Sequence, residues 1–331
     1  MRPPSFWTRP PDAPGLASRL LAPLGALYAG VTARRVSQPG ARVGVPVICV
    51  GNLNAGGTGK TPTVIALLQR LSARGLAAHV VSRGYGGSQS ETHRVDPLGD
   101  SATRVGDEPL LLSAFAPVWI GSDRVASAKA AATAGAEVIV MDDGFQNSGL
   151  AKDLSLIVVD AGVGFGNGRV IPAGPLREPV TKGLARADLM LAIGPEAAQQ
   201  RFTEAWGAKI ALPVLRGTLE PLQTGMPWAG LRAYAFAGIG RPSKFFETLE
   251  GLGVELAATR ALDDHQSLSE RLLERMSREA AAMNAQMVTT EKDAVRLPDA
   301  YRRSVLTVPV RLQIPEAGAL DDALDRVLGT T

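Results

Sequence analysis

One cysteine, three histidines and a 5% share of aromatic residues are what this 331-residue chain has least of. The lone cysteine, Cys49, cannot close an intrachain disulfide or supply a cysteine-based zinc site, and it points to a reducing compartment. Of the histidines, His79 and His93 have no suggestive neighbours, which leaves His265 for attention. Net charge is also scarce, +3 overall, and gives no sign of a nucleic-acid-binding face. No apolar run reaches the roughly 20 residues of a membrane-spanning helix. Repeats at solenoid periods are absent as well. What is present, 45% hydrophobic and 20% charged residues, is ordinary for a soluble globular protein. The length suits two α/β domains or one large one.

The small charge is unevenly placed. Residues 1–42 hold six arginines (Arg2, Arg9, Arg19, Arg34, Arg35, Arg42) against one acid, Asp12. Between them, residues 20–33 carry no charge but include Pro23 and two glycines. With Trp7 and Tyr28 nearby, this arm reads as a helix lying in a membrane surface rather than crossing it. Each arginine near an anionic leaflet adds about 1 kcal/mol of attraction. A helix simply packed on the body is the alternative. A cleaved signal peptide has a similar layout, but export would strand the nucleotide site described below.

Beyond residue 42, strands and helices alternate. Residues 45–50 are an apolar, β-branched run of the buried parallel kind. A glycine-rich loop follows, then a helix with Val64, Leu67, Leu68 and Leu71 on one face, ending at Gly75. Strands are expected at 76–82, 118–120, 137–141, 154–159 and 189–193, with helices at 109–115 and 124–134. Such alternation implies a parallel sheet covered on both faces. Three prolines make 209–232 look like an extended linker. Alternation then resumes with strands at 233–237, 256–261 and 287–290, helices at 243–250 and 268–283, and a closing strand and helix at 305–310 and 320–327. The expected organisation is an arm (1–42), a P-loop NTPase-type parallel-sheet domain (43–208), a linker (209–232), and a second, smaller α/β domain (233–331). A cleft between two such domains would exclude water from a phosphoryl transfer.

The loop itself is Asn54-Ala55-Gly56-Gly57-Thr58-Gly59-Lys60-Thr61. Strand, glycine loop and helix come in P-loop order. The glycines let backbone N–H groups face phosphate oxygens, and the helix start adds its positive dipole end. Lys60 is expected on the β/γ-phosphates of ATP, and the Thr61 hydroxyl on Mg²⁺. Asn54 stands where the usual pattern has glycine, a tolerable change because asparagine enters left-handed backbone more readily than most residues.

Asp142-Asp143 ends an apolar strand beside this loop, where either carboxylate could hold Mg²⁺ directly or through water. Asp107, in Gly106-Asp107-Glu108-Pro109, reads equally as a helix N-cap or as a general base. Asp263-Asp264-His265 precedes a helix of the second domain, where capping acids with a surface histidine are the plain alternative. Arg124, Arg177 and Glu178 lie in glycine- or proline-marked loops after strands. Arginines there could offset charge on a transferring phosphoryl group.

Taken with Val50-Gly51-Asn52-Leu53, Ser82-Arg83-Gly84-Tyr85-Gly86-Gly87, Asp142-Asp143-Gly144-Phe145-Gln146, Gly166-Asn167-Gly168, Pro172-Ala173-Gly174-Pro175-Leu176-Arg177-Glu178-Pro179, Ala237-Gly238-Ile239-Gly240-Arg241-Pro242 and Thr290-Glu291-Lys292-Asp293, the chain resembles the tetraacyldisaccharide 4'-kinase family over nearly its whole length. The resemblance implies transfer of the ATP γ-phosphate to the 4'-hydroxyl of an acylated glucosamine disaccharide 1-phosphate, giving lipid IVA. It also implies Asp107 as base assisted by His265, Arg124 and Arg177 near the phosphates, and Glu178 at the Mg²⁺ site. This chain has Asp264-His265-Gln266 where the family motif runs closer to Asp-His-His. The implied location is the cytoplasmic face of a bacterial inner membrane, with the lipid acceptor and the membrane surface as partners and neither nucleic acid nor an obligate protein partner. Two rivals are a membrane-cycling P-loop ATPase switch and another sugar or nucleoside kinase. Switches often carry an additional lysine early in the loop, where this chain has Ala55.

Overall fold

The structure, a computed structural model, describes residues 4–264 and 266–329. Strands β1 (Val47–Gly51), β2 (Ala78–Ser82), β3 (His93–Arg94), β4 (Val118–Ile120), β5 (Val138–Asp142), β6 (Leu154–Asp160), β7 (Leu189–Ile193) and β8 (Val214–Pro221) come first. They are followed by β9 (Arg232–Ala237), β10 (Glu255–Ala261), β11 (Gln286–Thr290), β12 (Leu306–Val308) and β13 (Val310–Gln313). Nine of these form a mostly parallel sheet in the order β13-β8-β7-β6-β1-β5-β2-β4-β3, and the other four a parallel sheet in the order β10-β9-β11-β12. The architecture is α/β, as the alternation predicts.

Alternation of side chains along β1 divides the core of the large sheet. Ile48 and Val50 pack on one face with Val64, Leu67, Leu68 and Leu71 of the helix Lys60–Ala73, the face expected from their spacing. Val47 and Cys49 pack on the other face with Met141, Phe145 and Phe165. Burying each such aliphatic or aromatic side chain contributes about 1.5–3 kcal/mol. Burial pushes the Cys49 thiol up to about 12, so it is a neutral core residue. Because β1 lies between β5 and β6, its carboxyl end sits where strand connections diverge to either side. Such a switch point leaves a crevice for a ligand.

Residues 209–232 and the C-terminus depart from the expected organisation. The proline-flanked segment contains β8, which pairs in parallel with β7 and extends the large sheet. The expected strand at 305–310 is two strands broken at Pro309. β12 completes the small sheet beside β11, whereas β13 crosses back and pairs antiparallel with β8. The helix Gly318–Leu328 then packs Leu320 and Leu324 into the core of the large sheet. Proline cannot donate a ladder hydrogen bond, so it punctuates strands and hides the short runs between them.

The arm folds as two helices, Leu16–Leu20 and Ala22–Val36. Its inward face is small and polar, with Ser18, Gly25 and Thr32 buried at seven-residue intervals. Ser18 Oγ donates to Ala173 O at 2.6 Å, and a side chain at Gly25 would strike Val170 O. Leu16, Leu20, Leu24, Leu27 and Val31 point outward, each more than half exposed. Trp7 donates from Nε1 to Pro172 O at 3.1 Å. Among the described residues, no helix is long and apolar enough to cross a membrane.

Candidate active site

The glycine loop leaves β1 and is shaped by side chains on either side. Asn52, fully buried, donates from Nδ2 to Gly56 O at 3.0 Å and to Thr58 Oγ1 at 3.1 Å. The backbone of 175–177 grips the loop from outside: Ala55 N donates to Pro175 O, and Arg177 N to Leu53 O, each at 2.7 Å. Gly56 and Gly59 have φ of 132° and 96°, a region closed to most side chains. At Gly59 a Cβ would also lie 2.7 Å from Ile193 Cδ1. Asn54 is not in left-handed backbone. It forms a bridge with Leu176 and donates from Nδ2 to Gly164 O, so its side chain, rather than backbone latitude, accounts for asparagine there.

The helix opening at Lys60 carries its ammonium toward Asp143, 3.6 Å away. Arg177 makes a two-pronged bond to the same carboxylate at 2.9 and 3.3 Å. Burial would raise the Asp143 carboxyl, but Lys60 and Arg177 hold it below its ordinary value. Two cations thus converge on one acid beside the P-loop.

Asp142 differs from its neighbour. Its Oδ2 accepts from Ser82 Oγ at 3.2 Å, while its buried Oδ1 has no hydrogen-bond partner. Burial, followed by the negative charges of Glu108 and Asp143, pushes its carboxyl up to about 7. An orphaned carboxylate oxygen at a strand end beside a P-loop suits a divalent cation. Arg124 is buried with its Nε likewise unpartnered, and burial lowers its pKa against the pull of Asp142 and Asp143. Among the described residues, no group of three or more His, Cys, Asp or Glu has metal-binding geometry.

Asp107 begins the helix Asp107–Leu112 and is 4% exposed. Its Oδ1 accepts from Glu108 N at 2.9 Å, and Arg296 Nε lies 3.9 Å from Oδ2. Arg296 arrives from the small sheet, as does Lys292, whose Nζ bonds Glu108 at 3.1 Å and Asp264 at 3.5 Å. Burial would lower the Lys292 pKa, but Glu108, Asp107 and Asp264 raise it. Lys292 thus bridges the segment carrying Asp264 to Glu108, the neighbour of Asp107. His265 lies outside the described residues.

Glu178 is 2% exposed and is gripped by Arg186 through both oxygens, at 2.7 and 2.6 Å, while Gln146 Nε2 donates to Oε1 at 3.0 Å. Gln146 also links Arg177 and the Asn52 carbonyl, so it ties Glu178 to the loop. Bottom-up reading of the residues singled out none of Asn52, Gln146, Arg186 and Arg296 for the site. Gln146 and Arg296 act across the fold on Glu178 and Asp107, whereas Asn52 and Arg186 reach partners four to eight residues away but as single residues in no recognisable pattern.

Comparison with known proteins places this geometry in a lineage. Residues 17–329 match the family model described as tetraacyldisaccharide-1-P 4'-kinase. A tetraacyldisaccharide 4'-kinase of Dinoroseobacter shibae is 66% identical over 98% of this chain and 97% of its own length. One from a Jannaschia species is 60% identical over 99% of this chain and all of its own length. A crystal structure of LpxK from Aquifex aeolicus in complex with ATP superposes with a TM-score of 0.77 at 25% identity, covering 95% of this chain and all of that one.

Proposed function

We propose, from the premise that the chain belongs to the tetraacyldisaccharide-1-P 4'-kinase family, that it transfers the γ-phosphate of ATP to the 4'-hydroxyl of tetraacyldisaccharide 1-phosphate, forming lipid IVA. The observation that carries the reading is the convergence of Lys60 and Arg177 on Asp143 at the mouth of the glycine loop. Before nucleotide arrives, Asp143 serves as counter-ion to the two side chains that ATP phosphates would recruit.

In this reading the backbone of residues 54–61 cradles the phosphates, Lys60 takes the β/γ oxygens, and Arg124 and Arg177 offset charge developing on the transferred group. Thr61 and the orphaned oxygen of Asp142 would hold Mg²⁺, with Asp143 beside them. When bound, Mg²⁺ neutralises phosphate charge in the transition state. Glu178, paired with Arg186, acts on that cation through the Gln146 network. Asp107 takes the proton of the attacking hydroxyl, and His265 assists from the second lobe. Arg296 and Lys292 keep the Asp107-Glu108 corner charged and fixed.

The arm supplies access to an acceptor that stays in a bilayer. Its outward Leu/Val stripe and its arginines suit shallow burial at an anionic surface, on the cytoplasmic face where ATP is available. The deciding assay uses γ-labelled ATP with Mg²⁺ and detergent-dispersed tetraacyldisaccharide 1-phosphate. Label is expected on the lipid. ATP binding with no lipid label would instead favour a nucleotide switch.

A further inference from the structure

Asp160 is a buried carboxylate that the phosphoryl-transfer chemistry leaves unused. It ends β6, beside the strand that feeds the glycine loop. Its Oδ1 accepts from Gly162 N at 2.9 Å. Its Oδ2 receives two cations, Arg241 Nη1 at 3.0 Å and Lys244 Nζ at 2.7 Å. Both cations come from the other sheet, at the turn after β9 and the helix Pro242–Gly251 that follows it. The Asp160 side chain is 8% exposed, whereas Arg241 and Lys244 are 41% and 33% exposed. The acid is therefore the fixed member, and the cations come to it.

The same turn reaches the glycine loop. A Cβ built on Gly240 would sit 3.7 Å from Gly57 N, and one built on Gly162 would lie 3.1 Å from Arg241 Nη1. The turn at Gly240 thus lies against Gly57 of the glycine loop, and Asp160 bonds the two cations that follow that turn.

We propose that Asp160 is a positioning residue for nucleotide binding: through Arg241 and Lys244 it latches residues 238–242 over the P-loop, making the second lobe one wall of the nucleoside triphosphate site. The phosphates enter a site already walled, and the ordering cost of bringing the lobe into place is met before binding. Loss of the latch therefore weakens nucleotide binding while leaving the P-loop, Lys60 and Arg177, which the large sheet carries, in place.

The test uses the full-length protein, a non-hydrolysable ATP analogue with Mg²⁺, and calorimetry in the absence of acceptor. Asp160→Asn is expected to raise the dissociation constant about 5–50-fold, with a matching rise in the KM for ATP. The pair Arg241→Gln/Lys244→Met should reproduce that loss, whereas Arg241→Lys/Lys244→Arg should retain wild-type affinity. Adding Asp160→Asn to the glutamine/methionine pair should cost no further affinity, because all three residues act through one contact. Wild-type affinity in Asp160→Asn, or a further full loss on combining the changes, would overturn the proposal. Should Asp160→Asn fail to fold, the Arg241→Gln/Lys244→Met protein decides alone, and unchanged affinity there is equally fatal. Since the readout needs no acceptor, it stands apart from whether the lipid is the substrate.

Discussion

Replacing Asp142 by asparagine should stabilise the nucleotide-free protein, and more so as pH rises. The group titrates at 3.8 when unperturbed and at about 7 in the folded chain. The folded state therefore binds a proton more tightly than the unfolded state, and stability falls as pH rises from the first value through the second. A shift of about 3 units corresponds to about 4 kcal/mol once both states are ionised. Near pH 5 roughly a third of that cost is already present, because the unfolded chain has ionised while the folded one has not. The neutral amide of the Asp142→Asn variant carries no such cost at any pH, so the gap between the variant and wild type should widen by about 2–3 kcal/mol between about pH 5 and pH 8. For a chain of this size that is about 3–4 °C in melting temperature. Thermal melts with chelator present, at both pH values, measure it. With MgATP added, the order should reverse, because the variant loses the carboxylate that the cation would use. A gap in chelator that stays constant or narrows with rising pH would refute the idea that a buried, unneutralised charge sits at Asp142.

Lys60→Ala and Asp107→Asn should each lower turnover by roughly 10²–10⁴-fold, read in the labelled-phosphate assay; near-normal transfer by purified Asp107→Asn enzyme would remove it as the base. Arg186→Met should cost about 3–5 kcal/mol in urea unfolding, since it strands the buried Glu178 carboxylate, and a variant as stable as wild type would argue against that pair. Leu20→Asp/Leu27→Asp should weaken flotation with anionic vesicles while leaving nucleotide affinity unchanged. These point changes are cleaner than removing residues 1–35, because Asn167 bonds the Phe6 carbonyl and Ser18, and deletion would leave its amide short of partners.

What was legible in the sequence follows from range. The parallel strands and the helix face of Val64, Leu67, Leu68 and Leu71 declare themselves through local periodicity. The glycine loop does so because phosphate binding needs several special residues in a row. Asn52 and Asp160 could not be singled out in this way. Asp160 takes its meaning from Arg241 and Lys244, some eighty positions away, while Asn52 bonds the nearby Gly56 and Thr58 but is a lone asparagine that forms no pattern with them in sequence. The strand Val214–Pro221 was hidden by its flanking prolines, and the divergence of β12 and β13 by the single residue Pro309 between them. Asp142 and Asp143 look equivalent in sequence. Only the structure separates the one paired with Lys60 and Arg177 from the one left with a bare oxygen.

The return of β13 to the large sheet has a mechanical consequence. The small sheet is spliced into the chain between β8 and β13, which lie side by side, and Leu222 N donates to Pro309 O where the two crossings meet. A body hung from two adjacent pins swings like a door: it can open and shut about the line through them but resists twisting. The same splice sets an order of assembly. This edge of the large sheet cannot be finished until residues 310–328 follow the whole small sheet out of synthesis, so the outermost strand and the helix sealing it lock after the rest of that sheet.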